Sequence, residues 1–255
     1  MTVPSDVDAR WLRCYRPRPA SAVQLVCLPH AGGSASYFRP FGAAIGSAAE
    51  VLAVQYPGRQ DRRAEPAVTD LKTLADEVFA ALAGRLGRPV ALFGHSMGAV
   101  VAYEVALRME AAGVAPVHLF ASGRSAPSRR GADDPRVRDD DDVLAEIAML
   151  QGTSAQLLAD PEVMAMVLPV LRVDYRAVEA YRHDPQRRLR CAVTALVGDD
   201  DPRTTLDAAR GWRDHTSGPA RTRVFPGGHF YLDGHLETVA AVVTRALTEG
   251  SGRDS

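Results

Sequence analysis

The sequence predicts an α/β fold, a mostly parallel sheet with helices on both faces, and three observations lead there. Short apolar runs of strand length alternate with longer segments of helical periodicity. A serine between two glycines, "GHSMG" at 94–98, stands where one such run hands over to a helix. A stretch from 125 to 184 has no convincing strand and interrupts the alternation.

Taken in order, the strand candidates are "AVQLVCL" (22–28), "VLAVQY" (51–56), "PVALFG" (89–94), "VHLFAS" (117–122), "CAVTALVG" (191–198) and "RTRVF" (221–225). Most are continuously apolar, so both faces of the sheet must be covered. Between them, "DLKTLADEVFAALAGRL" (70–86) sets Leu71, Leu74, Val78, Leu82 and Leu86 at three- and four-residue steps. "HLETVAAVVTRALTE" (235–249) does the same with Leu236, Val239, Val243 and Leu247. Such spacing gives amphipathic helices that pack on the sheet. The tails, roughly 1–9 and 250–255, read as frayed.

The interrupting stretch begins polar, "SAPSRRGADDPRVRDDDD", and continues as helical patterns "VLAEIAMLQG" and "PEVMAMVLPVLRVDYRAVEAYRH". It reads as a helical lid inserted into one domain spanning 1–255, whose core covers about 10–124 and 185–248. Asp139 to Asp142 are expected to form a solvated loop and helix start, where acids favour the N-terminal dipole. Met149, Met164 and Met166 fill gaps within the cap, with an acyl-pocket lining as the alternative.

Composition narrows the function. The 255 residues are 46% hydrophobic and 24% charged, with thirty Lys and Arg against thirty-one Asp and Glu and a net charge of -1. A chain of this length buries a sizeable core, and its balance argues against nucleic acid or an anionic membrane as partner. There is no signal-like apolar N-terminus and no run of eighteen apolar residues, so neither secretion nor membrane spanning is expected. Cys14, Cys27 and Cys191 cannot all pair, and reduced thiols suit a cytoplasmic protein.

Glycine at 94 and 98 permits a tight strand-to-helix turn that lifts Ser96 above the C-terminal edge of the sheet. The backbone N–H of Met97, at the helix start, is free to meet an oxyanion. This is the nucleophile elbow of the α/β-hydrolases. Serine needs a base and an orienting acid, in the chain order Ser, acid, His. His229, in "VFPGGHFYLDGH" after the last strand, is the base. His30 and His95 precede the serine, His118 is a strand residue, His183 ends the cap, and His215 and His235 fall on surface-helix patterns. No zinc motif surrounds His229, Asp233 and His235, and no metal or cofactor is expected. For the acid, Asp199, Asp200 and Asp201 compete. Pro202 restricts the backbone of Asp201 and gives it a modest preference, with Asp199 the runner-up. The second oxyanion donor is Ala31 N–H, in "CLPHAGGSASYF" after the first core strand.

The segments "LPHAGGSASYF", "VQYPGRQDR", "LFGHSMGAVVAYEVA", "LFASGRSAP", "LPVLRVDYRAVEAY", "GDDDP" and "GGHFYL" together resemble a type II thioesterase, a free-standing α/β-hydrolase of polyketide and nonribosomal peptide assembly lines. The resemblance runs from about 10 to 248. It implies a substrate class, acyl groups held as thioesters on the phosphopantetheine arm of an acyl or peptidyl carrier protein, which an editing enzyme hydrolyses away. It also implies that the aspartate before Pro202 completes the triad, which favours Asp201, although three consecutive aspartates stand there. The helical insertion corresponds to the family's lid, with Met164, Val167 and Leu171 as candidates to shape the acyl pocket. Arg59, Arg62 and Arg63 follow a strand and are expected on the same sheet edge, with Arg129 and Arg130 nearby, as candidates for contact with an acidic carrier. Solvated arginines paired with Asp61 and Glu65 are the simpler reading. A monomer is favoured. A general carboxylesterase or acyl-coenzyme A hydrolase, or a non-catalytic binding protein on a hydrolase scaffold, are the alternatives.

Overall fold

The computed structural model describes residues 6–129, 139–150 and 161–251. Its strands are β1 (Leu12–Arg13), β2 (Gln24–Leu28), β3 (Glu50–Val54), β4 (Val90–His95), β5 (His118–Ser122), β6 (Ala192–Gly198) and β7 (Ala220–Phe225). All seven join one sheet in the order β1-β3-β2-β4-β5-β6-β7. Every pairing is parallel except that of β1, which runs antiparallel to β3 with Leu12 opposite Val54. The six longer strands fall on the six apolar runs.

Side chains alternate between the faces of a strand, and the core divides accordingly. Val26, Leu28, Leu92, Leu119 and Val197 face one layer, built with α3 (Leu71–Leu82) and α4 (Met97–Ala111). Leu25, Cys27, Phe93, Phe120 and Leu196 face the other, covered by α2 (Arg39–Ile45) and α9 (Leu236–Ser251). Asp70 caps α3 by accepting the Thr73 N–H at 2.7 Å, the role its side chain suits at a helix start. No described helix is long and apolar enough to cross a membrane. The three cysteines are unpaired thiols.

The N-terminal tail is more ordered than its sequence suggests. Asp6–Trp11 forms α1, because Trp11 is a core residue whose carbonyl accepts the Gln55 N–H at 2.8 Å and whose ring lies 4.3 Å beneath the Arg62 guanidinium. His215 is also misread as a surface residue. It ends the 3-10 turn Gly211–His215 and is buried against Tyr103 and Trp212.

Between β5 and β6 the described chain forms α5 (Asp140–Met149) and α6 (Pro161–Ala180). Asp139 caps α5 by accepting the Asp142 N–H at 3.0 Å, as the acid run at a helix start implies. Val143, Leu171 and Tyr175 make a small third core that joins both helices to Ala31, beyond the end of β2. Met164 is buried, whereas Met149 and Met166 are exposed and fill no core gap. Arg130 and the rest of the polar stretch to 138 lie outside the described residues, as do 151–160. The remaining helices are α7 (Leu206–Arg210) and α8 (Tyr231–Gly234).

Two buried histidines tie stability to pH. Burial, and then the neighbouring Arg221, pushes His118 from 6.5 down to about 4. Burial, and then His183, does the same to His215, whose Nε2 accepts the Ser128 N–H at 3.2 Å and so must be unprotonated. Between pH 6.5 and about 4 the unfolded chain binds protons that the folded chain refuses, so stability falls as pH falls through that window. Each group is expected to contribute on the order of 1–3 kcal/mol to this loss. Urea midpoints measured across the window should decline, and His215→Asn should flatten part of the decline; a midpoint independent of pH would refute this.

Candidate active site

β4 runs apolar to Gly94 and stops at a backbone that only a strained residue completes. Ser96 takes φ 54 and ψ −117, a conformation that costs a non-glycine residue on the order of 1–3 kcal/mol. Its N–H donates to Ser122 O at 2.8 Å and its carbonyl accepts the Ala99 N–H at 3.0 Å. The turn is too tight for neighbouring side chains. A Cβ at Gly94 would lie 2.1 Å from Gly98 O, and one at Gly98 would lie 2.0 Å from Leu28 O. The serine hydroxyl therefore stands at the C-terminal sheet edge, at the positive end of α4.

β6 and β7 end beside it and deliver two partners. His229 Nε2 lies 2.9 Å from Ser96 Oγ, and His229 Nδ1 lies 2.9 Å from Asp201 Oδ2. The pattern that satisfies all three groups has Ser96 O–H donating to Nε2 and the imidazole Nδ1–H donating to the carboxylate. His229 and Asp201 are buried, and Asp201 Oδ1 accepts the Arg203 N–H at 2.8 Å. Asp199 points elsewhere, taking the Gly227 N–H at 2.8 Å and thereby bracing the loop that carries His229, while Asp200 is exposed. Gly198 lets the two loops touch, since a Cβ there would meet Gly227 O at 2.2 Å.

Ala31 and Met97 line the small cavity that opens on Ser96 and His229. Met97 N–H is the first of α4 and has no intrahelical acceptor. In the bend after β2, Gly33 N–H donates to His30 O and Gly32 N–H to Asp174. Among the described residues, Ala31 N–H alone of these three meets no acceptor. An apolar cavity of about 160 Å³ adjoins, lined by Ala31, Met164, Val167, Leu171, Tyr175 and Phe230 among others. A larger groove of about 610 Å³ lies outside β7 and α9 and contains none of these groups.

Two of the three arginines expected at a docking rim turn inward. Arg59 is buried, donating to Pro57 O and paired with Asp174; Arg62 is buried, paired with Glu65 and donating to Gln55 O. Their guanidinium groups are buried against the chain's own carbonyls and carboxylates, out of reach of an outside partner. Arg63 is exposed. Of the two expected carboxylate partners, Glu65 holds Arg62, but Asp61 pairs with Arg13. Arg129 is exposed, with Asp207 3.9 Å away.

Sequence reasoning overlooked a buried polar shell behind the site. His95 shares a strand face with Phe93, two residues before it, and that alternation was the available signal for its burial. Its Nδ1 lies 2.9 Å from Ser122 Oγ, which lies 2.6 Å from Tyr231 OH. The ring packs 5.3 Å from that of His229, in space kept open by Gly123, where a Cβ would meet His95 at 2.8 Å. Burial, and then His229, pushes His95 well below the usual imidazole range and His30 down to about 3. Neither places a positive charge beside His229. Glu146 of α5 is likewise buried and paired with Arg203, two residues after Asp201. Among the described residues no group of three or more His, Cys, Asp or Glu is arranged to hold a metal ion.

Comparison with known proteins follows the same lines. A family model described as a thioesterase domain matches residues 23–247. The chain is 52% identical over 247 residues to a probable cadicidin biosynthesis thioesterase of Streptomyces griseus, across 97% of this chain and 68% of that one. Its structure superposes on that of BorB, a type II thioesterase from the borrelidin biosynthetic cluster, with a TM-score of 0.87 and 48% identity over 96% of this chain and all of that one. YbtT, a type II thioesterase from the yersiniabactin NRPS/PKS pathway, gives 0.85 and 31% over 94% and 99%. The fold is that of the α/β-hydrolases.

The three aspartates now differ in a testable way. Asp201→Asn is expected to cost a hundredfold or more in hydrolytic turnover, by roughly the logic of an acid that fixes the imidazole tautomer. Asp199→Asn should lose less than about tenfold, through a loosened His229 loop, and Asp200→Asn should be close to unchanged. Steady-state rates on one activated acyl substrate rank them, and an inactive Asp200→Asn would overturn the geometry.

Proposed function

We propose, from the premise that the chain belongs to the thioesterase family, that it edits polyketide or nonribosomal peptide assembly by hydrolysing stalled or aberrant acyl groups from the phosphopantetheine arm of acyl or peptidyl carrier proteins. Thioester hydrolysis itself is the activity of its type II relatives. The observation that carries the reading is the unbroken chain from Ser96 through His229 to Asp201, set beside an apolar cavity under the insertion helices.

In this mechanism His229 Nε2 takes the Ser96 proton as Oγ attacks the thioester carbonyl, and Asp201 steadies the imidazolium. The electron pair of the C=O bond moves onto oxygen, which Ala31 N–H and Met97 N–H receive. Collapse breaks the C–S bond, and the departing thiolate takes the proton from Nε2. Water then attacks the acyl-serine with His229 as base, releasing the carboxylic acid and restoring Ser96. The apolar cavity takes the acyl chain, with Met164, Val167 and Leu171 on its wall. The helical insertion acts as a lid that keeps bulk water from the acyl-enzyme. Of the three docking candidates, Arg63 is exposed after β3, which supports it as the contact for an acidic carrier.

Ser96→Ala is expected to fold normally and lose roughly 10⁴-fold or more of its turnover. Hydrolysis of acyl-carrier protein, acyl-coenzyme A and a simple ester, compared side by side, tests the substrate class. The carrier-bound thioester should show the highest kcat/KM; preference for the simple ester would mark a general esterase instead. Arg63→Glu should raise KM for acyl-carrier protein at low salt and leave a small acyl thioester unchanged. Equal effects on both would remove Arg63 from the docking surface.

A further inference from the structure

The insertion does more than roof the cavity, because one of its side chains grips the bend that carries the Ala31 amide. Asp174, on α6, is 4% exposed at its side chain, and its Oδ2 accepts the Gly32 N–H at 2.7 Å. The same oxygen receives the Arg59 guanidinium. Arg59 is fixed in turn by donating to Pro57 O at 2.7 Å and by lying 5.1 Å above the Tyr56 ring. Gln55 closes the circuit, its amide donating to Arg59 O at 3.2 Å while its oxygen accepts the Ala35 N–H at 3.0 Å. The bend after β2 is thus held from α6 and from the loop after β3.

Peptide planarity gives that grip a consequence at the reacting carbonyl. The Gly32 N–H shares one rigid plane with the Ala31 carbonyl, and the Ala31 N–H shares the preceding plane with His30 O, which accepts the Gly33 N–H at 3.0 Å; holding the Gly32 N–H therefore fixes the middle of the turn from which the Ala31 N–H projects. Gly32 has φ +70, and a Cβ there would lie 2.5 Å from Leu171 Cδ2, so α6 packs directly onto the bend. A charged acceptor makes a stronger and more directional bond to an amide than a neutral one. Net stability is a poor reason for such a pair, since desolvating two ions offsets most of their attraction.

We propose that Asp174 is a positioning residue: held by Arg59, its carboxylate fixes the peptide between Ala31 and Gly32 so that the Ala31 N–H is aimed at the oxyanion of the Ser96 adduct. The inference rests on the serine-hydrolase reading above. It makes α6 part of the reaction apparatus, because the donor is aligned only while α6 is seated. An orienting group acts on the transition state and leaves ground-state binding alone.

The test compares Asp174→Asn, nearly isosteric, with wild type on a small acyl thioester, on a trifluoromethyl ketone that forms a tetrahedral serine adduct, and on a non-hydrolysable thioether analogue. We expect kcat to fall about 10- to 100-fold with KM within about threefold. Affinity for the ketone should fall in step with kcat/KM, while that for the thioether holds. Unchanged kcat, a loss confined to KM, or equal weakening of both analogues overturns the proposal. If Asp174→Asn does not fold, Arg59→Lys decides in its place: it keeps the charge, loses the fork, and should give the same signature at about threefold or more. Wild type inhibited by the ketone, with Ser96→Ala insensitive, secures the hydrolase reading independently, so a normal Asp174→Asn in that background refutes this inference alone.

Discussion

A single backbone conformation organises the molecule, that of Ser96 at φ 54 between two glycines that have no room for a side chain. Such a turn persists only where the surroundings over-determine it. β4 lies near the middle of the sheet, flanked by β2 and β5, and the Ser96 N–H is pinned to the end of β5. From that fixed point the rest follows by register. Parallel strands end on one edge, so the loops after β2, β6 and β7 all arrive where the serine stands. Gly198 and Gly227 then let the acid and base loops come within touching distance.

Around this point the structure separates charge from neutral polarity. Behind His229, burial keeps His95 and His30 uncharged, and Ser122 and Tyr231 complete a hydrogen-bonded wall. In front, ions enter from the insertion. Asp174 of α6 meets Arg59 at the bend after β2, and Glu146 of α5 meets Arg203 beside Asp201. Each helix thereby contributes one buried carboxylate to one loop of the site. Pairs of this kind specify an arrangement more than they stabilise it, and here each specifies how an insertion helix sits on a loop.

What was legible in the sequence was what local chemistry dictates. Continuous apolar runs gave the six long strands, and glycines at 94 and 98 gave the turn at Ser96. His229 and Asp201 came from their positions after strands, the latter with help from family resemblance because three adjacent aspartates look alike on the page. Only the fold shows that Asp199 faces the Gly227 amide instead. Arg59 and Arg62 were misread since an arginine's spacing says nothing of whether its guanidinium meets solvent or a buried carbonyl. Asp174 escaped notice because its partner at Gly32 is 142 residues away. The helix at Asp6–Trp11 was missed because Trp11, its anchor, draws its contacts from the β3 region of the chain.

The order of the strands also has a bearing on how the protein is made. β7 is both the last of the described strands and an edge of the sheet, and the loop after it carries the histidine that reaches a serine 133 residues earlier. During synthesis the elbow, the Ala31 bend and the acid loop all emerge before the segment that supplies the imidazole. Closing so long a span is entropically slow and comes late in folding. A chain that stops before β7 therefore has the serine and the acid without their base, and hydrolytic competence arrives only when the final strand docks on that edge.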